Sequence, residues 1–307
     1  MQAFVMALDQ LFNPFTLLTL FAGVIGGIIA GALPGLTATM GVAILVPFTF
    51  AMPPVPGILM LLGLYAGAIY GGSIAAILIR TPGTPSAAAT VLDGSPLFDK
   101  GEGGRALGIA TLASVFSGIG SSIFLVFLAP LLSRVALSFS APEYFALAVF
   151  GLTIIASISG DSMTKGLLSG FFGLLIATIG VDPIQGYGRF TFGTVNLLDG
   201  VAFIPALIGL FAFAEVLNQF EELIEPKKVS YSLKNLIPSK EDIKTVMGIL
   251  IKSTFIGTFV GALPGAGGDI ASFVCYNEAK RSSKHPEKFG TGIIEGVAAA
   301  ESGNNSS

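Results

Sequence analysis

The stretch LFAGVIGGIIAGALPGLTATM, residues 20–40, joins an uncharged apolar run to a Pro-Gly pair and then to hydroxyl side chains. The run ends an apolar segment, 15–33, of about the 20 residues that a membrane helix needs. Pro34 donates no backbone hydrogen bond and disfavours helix at the residue before it, and Gly35 permits positive φ. The stretch therefore predicts a membrane helix that breaks at Pro34-Gly35.

The same pattern recurs 230 residues later, where Gly31-Ala32-Leu33-Pro34-Gly35 is repeated as Gly261-Ala262-Leu263-Pro264-Gly265. Each copy ends an apolar segment of membrane length, which favours an ancient duplication over a chance repeat. Corresponding broken helices in two halves are typical of secondary transporters, which bind their substrates at the breaks. The alternative is that each Pro-Gly pair makes an ordinary turn at the membrane surface.

Glycines at every fourth position precede both breaks: Gly23, Gly27 and Gly31 in the first copy, and Gly257 and Gly261 in the second. On a helix this spacing draws a bare stripe that lets another helix approach closely. We expect the stripes to serve packing, and each of these helices to lie inside the protein without facing lipid.

The composition is that of an integral membrane protein. The 307 residues are 52% hydrophobic and 11% charged, whereas a soluble domain carries about 25% charged residues. The net charge of -3 argues against a nucleic-acid partner. A single cysteine, Cys275, and a single histidine, His285, exclude a disulfide framework and a multi-histidine metal centre.

Apolar stretches of spanning length predict membrane segments at 15–33, 55–79, 106–132, 142–160, 164–181, 200–219 and 245–263. Two shorter stretches, 38–52 and 269–277, each follow a Pro-Gly pair and fit re-entrant legs or half-helices. We therefore predict an all-α polytopic membrane protein with about 7–9 membrane segments, some of them broken or re-entrant.

The segment 220–244 holds ten charged residues and is predicted to lie outside the bilayer. It divides a first transmembrane repeat, 1–219, from the incomplete start of a second repeat, 245–307. The orientation in the membrane stays open.

A third polar cluster, Arg80-Thr81-Pro82-Gly83-Thr84-Pro85-Ser86, follows the 55–79 segment and predicts another break, with a helix that starts near Ser86. A plain surface loop is the alternative. A half-helix that begins after a break presents free N–H groups, which favour an anion such as a carboxylate. The candidate substrate-binding residues are Pro34, Gly35, Thr37, Thr39, Thr81, Gly83, Thr84, Ser86, Pro264, Gly265, Gly267 and Gly268, with Arg80 as a minor candidate for a counter-charge. The hydroxyl groups could instead only cap helix ends.

Four segments resemble the large membrane subunit of tripartite tricarboxylate transporters, the TctA family. They read GALPGLTATMGVAILVPFTF, TPGTPSAAATVLDGSPLFDKGEGGRALG, DPIQGYGRFTFGTVNLLDGVAFIPALIGLFAFAEVL and EGVAAAESGNN, and the resemblance runs over residues 15–305. It implies a multi-pass permease of a bacterial or archaeal inner membrane, which imports tricarboxylates such as citrate, or related carboxylates. It also implies two partners, a small membrane subunit and an extracytoplasmic solute-binding protein, and a gradient of Na⁺ or H⁺ in place of any cofactor.

The chain departs from the family pattern in three places. Residues 300–305 read AESGNN where the family usually reads PESANN, Arg80 stands where asparagine is frequent, and Asp161 stands where a small residue is expected. Family members also carry a second half beyond the second Pro-Gly pair, so the chain reads as an N-terminal part. This leaves a non-transporting fragment or a scaffold subunit as alternatives.

Two other classes of function were weighed. An enzyme needs a nucleophile with a base, or a metal pair, and the sequence holds neither an HExxH nor a GxSxG motif. A channel would also tolerate broken, glycine-rich helices. Carboxylates near the predicted spans are candidates for ion coupling, and the sequence leaves Na⁺ and H⁺ open; they are Glu143, Asp161, Asp182, Asp199, Glu215 and Asp269.

Overall fold

The computed structural model describes the chain outside residues 1–8, 34–35, 138–139, 141, 144, 147–148, 150–161, 183–185, 202–205, 207–208, 210–212, 214–216, 218–234 and 263–266, and describes 131–137 by their backbone alone. In the described part, regular structure is helical apart from one hairpin of two-residue strands. This confirms the predicted all-α class.

The helices are α1 (Pro14–Ala32), α2 (Ala38–Thr49), α3 (Pro54–Leu78), α4 (Ala88–Asp99), α5 (Gly103–Leu137), α6 (Met163–Ala177), α7 (Lys240–Gly261), α8 (Gly268–Ser282) and α9 (Ile294–Ser306). Short 3₁₀ turns lie at Pro85–Ala87, Val195–Leu197 and Pro286–Lys288. Among the described residues, four helical segments are long and apolar enough to cross a membrane: α1, α3, α5 as far as Pro130, and α7.

The remaining predicted spans have different outcomes. The stretch predicted at 164–181 forms α6, which ends at Ala177 and is followed by a hairpin. The spans predicted at 142–160 and 200–219 lie largely outside the described residues. The two short stretches, predicted as half-helices, form α2 and α8.

The chain divides into two compact units. One comprises residues 1–125 and 210–307, and the other comprises 126–209. In the second unit, α6 precedes a hairpin in which Gly180–Val181 pairs antiparallel with Gly188–Arg189. The predicted boundary at 220–244 separates two copies of a duplicated sequence. A division into compact units does not test a duplication, so this boundary stays a prediction.

The glycine stripe of α1 packs directly against α3. A Cβ on Gly27 would lie 2.1 Å from the carbonyl oxygen of Leu64, so only glycine allows this approach of the two backbones. The packing role of the stripe is confirmed. The opposite face of α1 exposes Phe21 and Ile25 at 61% and 58%, and the expectation that α1 faces no lipid stays a prediction. One bare face and one bulky apolar face are what a helix needs to pack on one side and meet lipid on the other.

The second copy of the stripe is used in the same way. A Cβ on Gly257 would lie 2.9 Å from the carbonyl oxygen of Gly303, and one on Gly261 would lie 2.3 Å from Cα of Ser307. The helix α7 therefore packs on α9 as α1 packs on α3. By order and by packing, α9 corresponds to α3 in the predicted duplication.

Both predicted helix breaks are present. The first lies between Ala32 and Ala38, and the second between Gly261 and Gly268. The four residues of the Pro-Gly pairs are themselves outside the described residues. That the two breaks lie at membrane depth and close together stays a prediction.

An ionic cluster ties the start of α5 to the start of α7. The Arg105 guanidinium donates to Glu102 at 2.6 Å and to Asp242 at 3.1 Å. Asp242 also forms a capping box with Ser239 at the N-terminus of α7. The predicted linker 220–244 lies mostly outside the described residues, and its last five residues are the first residues of α7.

Candidate functional site

The segment after α3 folds into a tight turn against the end of α1. The Gly83 N–H donates to the Gly72 carbonyl at 3.2 Å. A Cβ on Gly83 would lie 1.9 Å from the carbonyl oxygen of Gly31, so a side chain has no room here. The turn therefore lies beside the residues of α1 that lead into Pro34-Gly35.

Two predicted hydroxyl residues are buried in this turn. Thr84 and Ser86 are 2% and 1% exposed, and their hydroxyl oxygens are 3.1 Å apart. The 3₁₀ turn Pro85–Ala87 leads into α4, as the predicted helix start near Ser86 requires. It contacts α3, α8 and α9, so it lies where elements of the two predicted repeats meet.

The other predicted hydroxyl residues have less central positions. Thr37 caps α2 by accepting a hydrogen bond from the Met40 N–H at 3.1 Å. Helix capping was the alternative to substrate binding for these hydroxyl groups. Thr39 and Thr81 are exposed. Four of the predicted residues lie outside the described part: Pro34, Gly35, Pro264 and Gly265.

Arg80 adopts positive φ, 57°, at the end of α3. Asparagine tolerates this left-handed conformation better than most other non-glycine residues, which agrees with the asparagine that the resemblance leads us to expect here. Arg80 is held by a hydrogen bond to Ser95 at 2.8 Å and by an ion pair with Asp99. Its charge is thus already balanced in this structure.

The N-terminus of α8 begins directly after the second break. Gly267, its N-cap, provides no side-chain cap, and a Cβ there would meet nothing within 4 Å. The first N–H groups of a helix have no partner within the helix. The carboxylate of Asp269, in the first turn, accepts from its own backbone N–H, and the other first-turn N–H groups can face an acceptor. The residue after the N-cap, Gly268, packs against Asn304, because a Cβ on it would lie 2.8 Å from the Asn304 Oδ1 atom.

Asn304 is 3% exposed, and neither atom of its amide has a hydrogen-bond partner. In the part of the chain that the structure describes, the only other buried side-chain polar atom without a partner is the Ser302 hydroxyl, on the same helix. An unpaired buried polar group costs about 1–3 kcal/mol. An unpaired buried amide beside a helix N-terminus suits a ligand that both accepts and donates hydrogen bonds.

Glu301 lies one turn before Asn304 and is fully buried. Its Oε1 atom accepts hydrogen bonds from the hydroxyls of Ser73, at 2.6 Å, and Thr90. Its Oε2 atom has longer contacts, 3.3 Å to Asn305 Nδ2 and 3.5 Å to the Ser114 hydroxyl. Donors from α3, α4, α5 and α9 thus converge on one carboxyl group.

Asp93 joins α4 to the chain between α8 and α9. Its Oδ1 atom accepts hydrogen bonds from three backbone N–H groups, those of Gly290, Gly292 and Ile293, at 2.8–3.1 Å. The Tyr276 hydroxyl donates to Oδ2 at 2.9 Å. Asp93 is completely buried and its acceptor capacity is filled, so we interpret it as a structural tie between the repeats.

Sequence reasoning passed over three residues of this region. Glu301 and Asn304 both lie in the AESGNN run that departs from the family pattern, and Asp93 lies in the segment TPGTPSAAATVLDGSPLFDKGEGGRALG, but none of the three was predicted as a site residue. A signal was present for Glu301, since it is the one acidic residue in the small-residue run 296–307. Of the carboxylates that were considered, Asp161 and Glu215 lie outside the described residues.

Comparison with protein families matches residues 17–307 to a family described as "Tripartite tricarboxylate transporter TctA family". The match covers the bulk of the chain, including both Pro-Gly pairs, the turn at Thr81–Ser86 and α9. No solved structure matches the chain.

Two relatives come from Agrobacterium vitis. An uncharacterized 52.8 kDa protein in the TAR-I ttuC' 3'region is 43% identical over 293 residues, which is 95% of this chain and 58% of that relative. An uncharacterized protein in the TAR-II ttuC' 3'region is 53% identical over 49 residues, 16% of this chain and 20% of the relative. The chain thus spans little more than half of the longer relative.

Proposed function

Because the chain belongs to the tripartite tricarboxylate transporter TctA family, we propose that it acts in the large membrane subunit of an ion-gradient-driven carboxylate importer. The substrates are tricarboxylates or related carboxylates. The subunit resides in the plasma membrane of a bacterium or archaeon. It works with a small membrane subunit and with an extracytoplasmic binding protein that delivers the substrate. A transport family favours this role over catalysis.

One observation carries the proposal beyond family membership: the open N-terminus of α8 lies beside the unpaired, buried amide of Asn304. A substrate carboxylate at this position would accept hydrogen bonds from the first N–H groups of α8 and from the Asn304 amide. In transporters with internal repeats, the N-termini of half-helices contribute to substrate sites in this way. The predicted residues Gly267 and Gly268 belong to this site.

The strength of such a site suits transport. A helix N-terminus stabilises an anionic group by about 0.3–1 kcal/mol, and by up to about 2 kcal/mol when it is partly buried. Pairing the Asn304 amide removes a penalty of similar size. Together these terms hold a carboxylate without a fixed positive charge, so the substrate can also leave. Ser86 lies on the 3₁₀ turn that contacts α8, and its hydroxyl, paired with that of Thr84, is a further candidate donor near the site.

The test is uptake of radiolabelled citrate and succinate by cells that express the complete transporter containing this chain with both partner subunits. We expect uptake of at least one of the two, and loss of that uptake when the binding protein is omitted.

The variant Asn304→Ala should lower uptake by about tenfold, the equivalent of one hydrogen bond of about 1.4 kcal/mol. Thr291→Ala, at an exposed loop residue, is the matched control and should leave uptake unchanged. Full uptake by an Asn304→Ala transporter with normal membrane levels would contradict the site.

A further inference from the structure

The Glu301 carboxyl group is buried without a charged partner. Each of its recorded hydrogen-bond donors is neutral: three hydroxyls and one amide. An ionised carboxylate in such a place is unfavourable unless a cation compensates it, and an isolated buried acid therefore tends to take up a proton. Intramembrane carboxylates of this kind mark ion pathways and proton relays.

The two carboxyl oxygens of Glu301 have different surroundings. Oε1 is served by the Ser73 and Thr90 hydroxyls, and these donors stabilise the ionised form. Oε2 has only the two longer contacts. The Ser114 hydroxyl can give its one proton to the Ala110 carbonyl, 2.8 Å away, instead of to Oε2, and its oxygen can then accept a hydrogen bond from a proton on Oε2. The site is therefore built to satisfy the carboxyl group in both protonation states.

Titratable groups on the helices packed around Glu301 are engaged elsewhere. The Tyr70 hydroxyl of α3 pairs with Thr111, and Asp93 of α4 pairs with Tyr276 of α8 and with backbone N–H groups. On α7, Lys252 pairs with Glu278 of α8 at 2.7 Å. Cys275 of α8 donates to the Ser253 carbonyl at 3.4 Å. Asp269, in the first turn of α8, and Tyr65 of α3 are exposed. On α5, the segment from Ala106 to Ser133 has no ionisable residue.

We propose that Glu301 is the residue that binds and releases the coupling ion, and that this ion is a proton. The inference rests on the proposed function, since it assigns the driving ion to a residue one helical turn from the Asn304 amide. An ionised Glu301 repels a carboxylate bound one turn away, and a protonated Glu301 does not. Proton uptake and substrate binding therefore favour each other. Reciprocal coupling of this kind typically changes affinity by about 5–150-fold.

The test uses proteoliposomes that contain the assembled transporter and labelled citrate as the probe. In wild type, an inward proton gradient should drive citrate accumulation, and an inward sodium gradient at equal pH should not. Glu301→Gln imitates the protonated state. It should abolish gradient-driven accumulation while citrate counterflow, which needs no driving force, continues. Glu295→Gln, at the start of the same helix, is the matched control and should behave as wild type.

Three outcomes would overturn the assignment: proton-driven accumulation by Glu301→Gln, accumulation in wild type driven by sodium alone, or loss of counterflow together with accumulation in a correctly assembled Glu301→Gln variant.

A second measurement covers the case in which the variant does not assemble. Infrared difference spectra of wild type, titrated through neutral pH, should show a carboxylic acid band that appears on acidification, and its absence would also overturn the assignment. Failure of wild type to move citrate or succinate under any gradient would count against the proposed function, while the infrared titration would still decide the role of Glu301.

Discussion

Three buried polar side chains differ in how completely they are paired. Asp93 has four hydrogen bonds. Glu301 has short hydrogen bonds at one carboxyl oxygen only, and the Asn304 amide has no hydrogen-bond partner. Full pairing is what a structural residue needs, because a buried polar group without a partner weakens the fold. The incomplete pairing of Glu301 and Asn304 is the observation on which the proposed proton and substrate sites rest.

The structural role of Asp93 leads to a stability prediction. Asp93→Ala would leave three backbone N–H groups and the Tyr276 hydroxyl without their acceptor, at about 1–3 kcal/mol for each donor that stays buried. We expect the free energy of unfolding to fall by about 3 kcal/mol or more. The measurement is the thermal unfolding midpoint of the detergent-purified transporter.

The matched control for this variant is Asp99→Ala on the same helix. Asp99 pairs with Arg80, and both side chains are more than half exposed, at 56% and 64%. An exposed pair contributes about 0–1 kcal/mol, so its loss should shift the midpoint little. Equal midpoints for the two variants would show that the Asp93 tie does not stabilise the protein.

The glycine spacing in the helices before the two breaks determines which helices pack together. In both repeats, a glycine stripe on the helix before the break lets a second helix pack at backbone distance: α1 on α3, and α7 on α9. In the membrane no hydrophobic effect drives helices together, so close van der Waals contact is what holds such a pair. The stripe is thus the feature by which the sequence specifies the helix pairing in each half.

Two neighbouring glycines of α1 allow a direct test. A Cβ on Gly27 would lie 2.1 Å from a backbone carbonyl of α3, whereas one on Gly26 would meet nothing within 4 Å. Gly27→Ala should therefore destabilise the protein by about 1–3 kcal/mol through overpacking. Gly26→Ala should be neutral, or stabilising by up to about 1 kcal/mol through helix propensity. The thermal unfolding midpoints of the two variants check this, and an equal loss in both would contradict the packing.

The sequence predicted these elements well because their signals are local. Apolar length and Pro-Gly chemistry placed α1, α3 and α7 and both helix breaks, and the proline-rich run placed the helix start near Ser86. The burial of Asp93, Glu301 and Asn304 could not be predicted in this way. It depends on contacts between residues about 180–230 positions apart, such as those of Asp93 with Tyr276 and of Ser73 with Glu301. No local pattern of charge or periodicity encodes such contacts.

At the scale of the molecule, elements of both predicted repeats meet around the turn Pro85–Ala87. The first repeat contributes α3, α4 and the turn itself, and the second contributes α8 and α9. Because the chain spans 58% of its longer relative, the activity proposed here is that of the whole transporter. The residues of the carboxylate site proposed at α8 nevertheless belong to this chain, so this chain can be probed for it.

The central claim is that a carboxylate binds at the N-terminus of α8, and protection of a cysteine placed there tests it most directly. The chain has one native cysteine, Cys275, which is buried, while Gly267 is exposed with open space around it. In the assembled transporter, citrate should slow the reaction of Gly267→Cys with a membrane-impermeant thiol reagent. It should not slow the reaction of Lys284→Cys in an exposed loop. Equal labelling of Gly267→Cys with and without citrate or succinate would contradict the claim.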